Sequence, residues 1–327
     1  MFSRVERFFE SQFPLISFLA LTIGLFADPV AKFFNPLIFY VLMSALYFNF
    51  VKMDFSVLAR EIKAWPYQIY LTAYTLLALP ILMHTVVRVL GFFIPLPADT
   101  ALGALLFFAA PTAVIAPTLT LLLKGRFERA LLNLFLTSLL VPLTLPFLVF
   151  ILERSAVHLD YAHMTGKLTL MIFAPLALAL LTKRLAPAFH SRLRSHAPFL
   201  AILFLAFLTI GGVYGVRNIL VQNSHVVAVF LGMVVFLMIV SFTLSWFFSF
   251  KRENADRLTL AACATWTNVS LALVVANEFF RESRPLSILF IVASFFPWNL
   301  GFFPMKWVAA RLMASENASG IPKTNTR

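Results

Sequence analysis

Six hydrogen-bonding side chains are conspicuous for where they fall. Thr112 and Thr118 lie in the apolar run 101–123, and Thr265, Thr267, Asn268 and Ser270 lie in the apolar run 260–280. Both runs are long enough to cross a bilayer, which takes about 20 residues. Water does not reach a hydroxyl or carboxamide at that depth, so each costs free energy unless it meets a partner, an ion or a substrate. Pro111 and Pro117 interrupt the first run, each directly followed by a threonine. Lacking an N–H, they leave the carbonyls of Phe107 and Ala113 without their helical donors. Asn299, in the middle of a later apolar run, supplies one more carboxamide. Groups of this kind bind a polar solute; they do not make or break its bonds. No nucleophile–base pair, carboxylate dyad or histidine-rich metal motif accompanies them, which excludes an intramembrane hydrolase.

Other reactive residue types have simpler expected roles. His158, Asp160 and His163 share one loop at spacings that suit a metal, but such spacing arises often by chance, and no metal site is expected. Cys263, the single cysteine, is expected to be a small packing residue and excludes an internal disulfide. His84 and Arg88 are expected at the outer interface. Gly211, Gly212 and Gly215 are expected to let helices approach closely.

The elements that must position these residues follow from composition. Apolar residues make up 61% of the 327 and charged residues 12%, against about 25% in a soluble domain. The chain therefore reads as an all-α polytopic membrane protein. Its net charge of +12 does not point to nucleic acid, because the bases sit in short loops and form no single face. Ten spans are expected at about 12–30, 36–51, 66–94, 100–123, 127–152, 166–183, 197–216, 225–250, 257–280 and 285–313. The third contains Pro80 and should be kinked or tilted. The first follows Arg4 and Arg7 as a signal peptide would, but no small-residue cleavage site follows it, so it counts as a span. Residues 1–314 then form one transmembrane domain, and the polar stretch 315–327 is expected to be a disordered cytoplasmic tail.

One alternate set of loops holds 19 of the 26 Lys and Arg residues, including Arg60, Arg192 and Arg194. Bases accumulate on the cytoplasmic side, so both termini are expected inside. Ten spans divide into five and five, with halves at about 1–153 and 160–314. An odd number per half inverts the second against the first, and the two interrupted spans are the fourth of each half. Their broken centres can then meet antiparallel near the middle of the membrane.

The chain resembles the bile acid:sodium symporter superfamily, as a divergent bacterial-type member. The resemblance rests on Phe26-Ala27-Asp28-Pro29 leading to Asp54-Phe55, and on Pro111 through Lys124-Gly125 with Pro142 and Pro146 beyond. Asp256 through Asn268 with Ser270, and Trp298-Asn299, complete it. It implies a panel of spans 1, 2, 6 and 7 against a core of spans 3–5 and 8–10, with spans 4 and 9 unwound and crossing. It also implies a secondary carrier of small organic anions in the plasma (bacterial inner) membrane. Alternating access would move the core against the panel. The expected substrate contacts are Thr112, Thr118, Thr265, Asn268 and Asn299, with Pro111 and Pro117 as the structural breaks.

The sodium machinery of that family is where this sequence departs. Positions matching its sodium ligands read Ala116, Pro117, Ala130, Leu134 and Cys263, leaving Thr267 as the one side-chain oxygen for an ion. A hard cation wants several oxygen ligands, preferably including a carboxylate. Sodium coupling is therefore not expected, and no cofactor is expected either. A sodium symporter using backbone ligands and a non-transporting sensor or scaffold on a carrier fold stay open as alternatives. A related arsenite exporter would need a cysteine where this chain has Ala110.

Overall fold

A computed structural model describes residues 13–53, 65–153 and 160–318. The Asp54-Phe55 motif, Arg60, His158 and residues 319–327 lie outside the described residues. Among the described residues the protein is helical, with one isolated two-residue β-bridge. Backbone groups in a bilayer must be satisfied within the segment, which is why an apolar chain of this composition resolves into helices.

The helices, in chain order, are α1 (Phe13–Phe26), α2 (Asp28–Phe34), α3 (Ile38–Lys52), α4 (Trp65–Ala73), α5 (Leu79–Phe93) and α6 (Thr100–Ala109). There follow α7 (Ala116–Leu122), α8 (Phe127–Glu153), α9 (Tyr161–Leu185), α10 (Pro187–Gly212), α11 (Val216–Gln222) and α12 (Ser224–Phe248). The chain continues with α13 (Asn254–Thr265), α14 (Val269–Phe279), α15 (Pro285–Leu300) and α16 (Phe302–Ala318).

Six stretches are long and apolar enough to span a membrane: Asp28–Lys52, Trp65–Phe93, Phe127–Glu153, Tyr161–Leu185, Pro187–Gly212 and Ser224–Phe248. The pair α15–α16, bent by 46°, makes a seventh. The first expected span and the two interrupted ones are instead shorter helices. A ten-residue helix such as α6 rises about 15 Å, half of the ~30 Å hydrocarbon core.

Several boundaries differ from the sequence reading. The first helix stops at Phe26, and the next span starts at Asp28 and runs 25 residues through a 3-10 turn at Asn35–Leu37. Helices α9 and α10 start at Tyr161 and Pro187, well before the apolar stretches expected to begin near 166 and 197. They carry polar residues such as His163 and Arg192 within their first two turns, because a helix does not end where its apolar face does. The terminal helix runs to Ala318, into the stretch expected to be a tail. The irregularity expected at Pro80 is a π-helical segment, Tyr74–Ala78, placed before it. Proline cannot donate to the α ladder, and a widened register absorbs the missing bond.

His84 is buried, and its Nε2 lies 2.8 Å from Glu153 Oε1, pairing α5 with the end of α8. Asp160 caps α9 by accepting the His163 amide at 2.9 Å, which occupies that carboxylate structurally. No cluster of metal-ligating side chains exists among the described residues.

Helices α1, α3, α9 and α10 pack chiefly on one another, and α5, α6, α12, α13 and α15 form a second packed group. Helix α14, which packs on α6 and α15 of the second group, also lies against α10 of the first. A Cβ on Gly212 would lie 2.6 Å from Leu273 Cδ2, and one on Gly211 would lie 2.7 Å from the Phe34 backbone. Asn277 donates to the Gly212 carbonyl at 2.9 Å, and Arg281 donates to the carbonyl of Tyr214. At Gly211 the neighbour is the backbone of α2, so a side chain there would force the two helices apart, whereas at Gly212 it is the Leu273 side chain that would have to move.

Candidate functional site

The two interrupted segments meet at their breaks. Between α6 and α7 the chain is extended at Thr112, and between α13 and α14 it is extended at Thr267; the two form an antiparallel bridge. Ala113 N–H donates to the Trp266 carbonyl at 2.8 Å, and Asn268 N–H donates to the Pro111 carbonyl at 2.7 Å. Backbone that leaves a helix in a membrane needs such partners. Two indoles complete the seal against α15: Trp298 Nε1 donates to the Thr267 carbonyl at 3.0 Å, and Trp266 Nε1 to the Trp298 carbonyl at 3.2 Å.

Pro117 has a different role from the one its spacing suggests. It sits in the first turn of α7, where its missing N–H costs nothing. The Ala113 carbonyl is therefore not free; it accepts the Ala116 amide at 2.9 Å. The Pro111 carbonyl, by contrast, is one of the two acceptors that join the breaks.

Beside the crossing lies a cavity of about 400 Å³. Ala113 through Ile115, Thr118, Asn268, Val269 and Ser270 form one wall. Residues of α1, α3 and α10, among them Ser17, Asn49, Lys52 and Thr209, form the opposite wall, and Phe295, Trp298 and Asn299 close one side. An adjoining cavity of about 320 Å³ shares Asn49, Lys52, Thr118 and Asn268 and is also lined by Pro117, Leu134 and Ser138. Lys52 is the last residue of α3, at the end of the bundle whose loops are rich in bases.

Of the five expected substrate contacts, Thr118, Asn268 and Asn299 line this cavity and Thr112 and Thr265 do not. Extended backbone points successive side chains to opposite faces. At the bridge this sends Ala113 and Asn268 to the cavity and Thr112 and Thr267 to the back. Thr112 Oγ1 there accepts from Asn133 Nδ2 at 2.8 Å and donates to the Cys263 carbonyl at 3.4 Å. Thr265 and Thr267 are buried, and their hydroxyls meet no hydrogen-bond partner among the described residues.

The cavity-facing amides have fixed polarity. Asn268 Oδ1 accepts the Leu271 amide at 3.0 Å, capping α14, so its NH₂ is left to face a ligand. Asn299 Nδ2 donates to the Phe295 carbonyl at 2.7 Å, which leaves its oxygen as an acceptor. These two amides thus present a donor group and an acceptor to the cavity, beside the positive N-terminal end of α14.

Sequence reasoning missed Asn49, Lys52 and Asn133. Asn49 is the lone amide of α3 and stands three residues before its terminal lysine, a signal too slight to separate from helix packing. Asn133, Thr137 and Ser138 fall at i, i+4 and i+5 of an otherwise apolar helix segment, a polar stripe that marks a buried face.

The Lys124-Gly125 pair turns the chain from α7 into α8. Lys124 has φ 66°, and a Cβ on Gly125 would lie 2.6 Å from Thr120 Cγ2. Beyond the turn, Arg126 and Arg129 pair with Asp256 at the start of α13. Partial burial pulls the Arg126 guanidinium down, but the carboxylates of Asp256 and Glu253 outweigh that and hold it above its usual range. This ion cluster ties the two interrupted spans together at one end.

A polytopic helical bundle with a solute-sized cavity beside two joined helix breaks defines a membrane protein that handles a solute. Residues 39–223, more than half of the chain, match the sodium bile acid symporter family, and the protein belongs to it. Members of that family are transporters and not enzymes. No individual curated protein matches the chain.

Proposed function

We propose that the protein is a secondary active transporter of a small organic anion, working by alternating access. The single observation that carries this is the cavity beside the Thr112–Thr267 bridge, where the Asn268 amide and the start of α14 offer donors to an anionic group. The apolar lining from α3, α10 and α15 suits the body of such an anion. Lys52, which the sequence reading had not placed there, also lines the cavity wall.

In this reading the chain is one transmembrane domain of ten spans in two inverted repeats, about 1–153 and 160–314. The third expected span is Trp65–Phe93, and the fourth and ninth are α6–α7 and α13–α14. Helices α1, α3, α9 and α10, with α2, form the panel, and the remaining spans form the core. The protein lies in the plasma membrane with both termini cytoplasmic. Because Lys52 borders a base-rich loop, the cavity faces inward, and the α10–α14 contact is the outer seal.

Sodium does not drive the cycle in this reading. Ala116, Pro117, Ala130, Leu134 and Cys263 present no side-chain oxygen. A second reading, a sodium symporter using backbone ligands, gains two side-chain oxygens from Thr265 and Thr267, whose buried hydroxyls have no partner among the described residues. Uptake of an organic-anion library by vesicles carrying the protein tests the proposal. Accumulation of at least one anion above protein-free vesicles supports it, and none across the library overturns it in favour of a sensor or scaffold.

A further inference from the structure

The face of the crossing turned away from the cavity is buried against α4, the π segment and α8, and it is organised around one carboxamide. Asn133 is fully buried and uses both ends of its side chain. Its Oδ1 accepts from Thr72 Oγ1 at 3.0 Å. Its Nδ2 donates to Thr112 Oγ1 at 2.8 Å and reaches Thr75 Oγ1 at 3.4 Å, within the π segment. Thr112 passes the chain of bonds to the Cys263 carbonyl, and its own amide donates to Thr137 Oγ1 at 3.2 Å. One side chain therefore ties a third span to both breaks.

We propose that Asn133 is the positioning residue that assembles this crossing, and that its N–H donors stand where a cation would otherwise gather the oxygens of Thr75 and Thr112. The inference rests on the proposed reading of the crossing as the transport centre. A hydroxyl oxygen whose lone pair accepts an N–H is not available to a cation, and a donor aimed at the centre of the cluster repels one. Neutral hydroxyls and a carbonyl without a carboxylate also make a poor site for a hard ion. The amide gives the same convergence permanently, with no ion to arrive or leave. Turning that donor into an ionised carboxylate reverses the polarity. A carboxylate at position 133, the hydroxyls of Thr72, Thr75 and Thr112 and the Cys263 carbonyl would then form an all-oxygen cluster with a net negative charge.

The test is thermal unfolding of the purified protein with about 100 mM sodium chloride against choline chloride, at pH about 8.5 so that an aspartate stays ionised. The wild-type melting temperature is expected to be the same in both salts. Asn133→Ala should melt lower by at least about 2–4 °C in both, with no rescue by sodium. Thr72→Val, a gentler loss of one bond, should lower it by less and in the same salt-independent way. Asn133→Asp should be destabilised in choline and recover as sodium is added. A sodium-dependent rise for the wild type, an Asn133→Ala protein that melts like the wild type, or an Asn133→Asp protein indifferent to sodium would each overturn the inference. No substrate enters the measurement, so its failure leaves the carrier reading standing, and a failure to find a transported anion leaves this result intact.

Discussion

Asn268 holds two roles that a pair of substitutions separates. Its side-chain oxygen caps α14 by accepting the Leu271 amide at 3.0 Å, while its NH₂ faces the cavity. Its backbone bond to the Pro111 carbonyl does not depend on the side chain. Serine caps as well as asparagine, so Asn268→Ser should keep the helix start within a few tenths of a kcal/mol. Asn268→Leu loses the cap, costing about 1 kcal/mol and lowering the melting temperature by about 2 °C. Both remove the cavity-facing amide. A hydrogen bond to a charged group contributes about 1.5–3 kcal/mol, so affinity for a transported anion should fall about 10- to 150-fold in both variants. The assay is ligand titration by tryptophan fluorescence beside a melting curve for each variant. An Asn268→Ser protein that melts and binds like the wild type would refute the assignment of the donor.

Two further outcomes follow from the geometry. Reporter fusions at Arg192 and after Arg311 should read cytoplasmic and those near Asp99 and Asp160 external, reflecting the placement of 19 of 26 bases; an external Arg192 fusion contradicts the orientation. Gly212→Val should force α10 from Leu273, so that a Ser270→Cys thiol, otherwise labelled by an impermeant reagent from the cytoplasmic side alone, becomes labelled from both sides; one-sided labelling would show the seal lies elsewhere.

How far the sequence carries depends on the range of each interaction. Pro111 and the polar cluster 265–270 mark breaks within single segments, and the sequence places both breaks where the structure has them, although Pro117 opens α7 and does not break it. Their antiparallel meeting follows from the alternation of spans. The direction of each side chain does not. Whether Thr112 or Ala113 faces the cavity depends on the register of a two-residue bridge between segments more than 150 residues apart, and a shift of one residue exchanges the faces. The partnership of Asn133 with Thr72 and Thr112, and of His84 with Glu153, joins helices that no local pattern pairs. Helix starts at Tyr161 and Pro187 were illegible for another reason: the polar turns that open α9 and α10 carry no apolar signal.

Exchange across a sealed bilayer tests the central claim most directly. Proteoliposomes holding the purified protein and preloaded with one organic anion are offered the same anion, labelled, from outside, with choline in place of sodium. The account predicts saturable, trans-stimulated entry that survives the loss of sodium and disappears in Asn268→Leu. Entry no faster than into protein-free liposomes for every anion tried, or entry unchanged by Asn268→Leu, would contradict it.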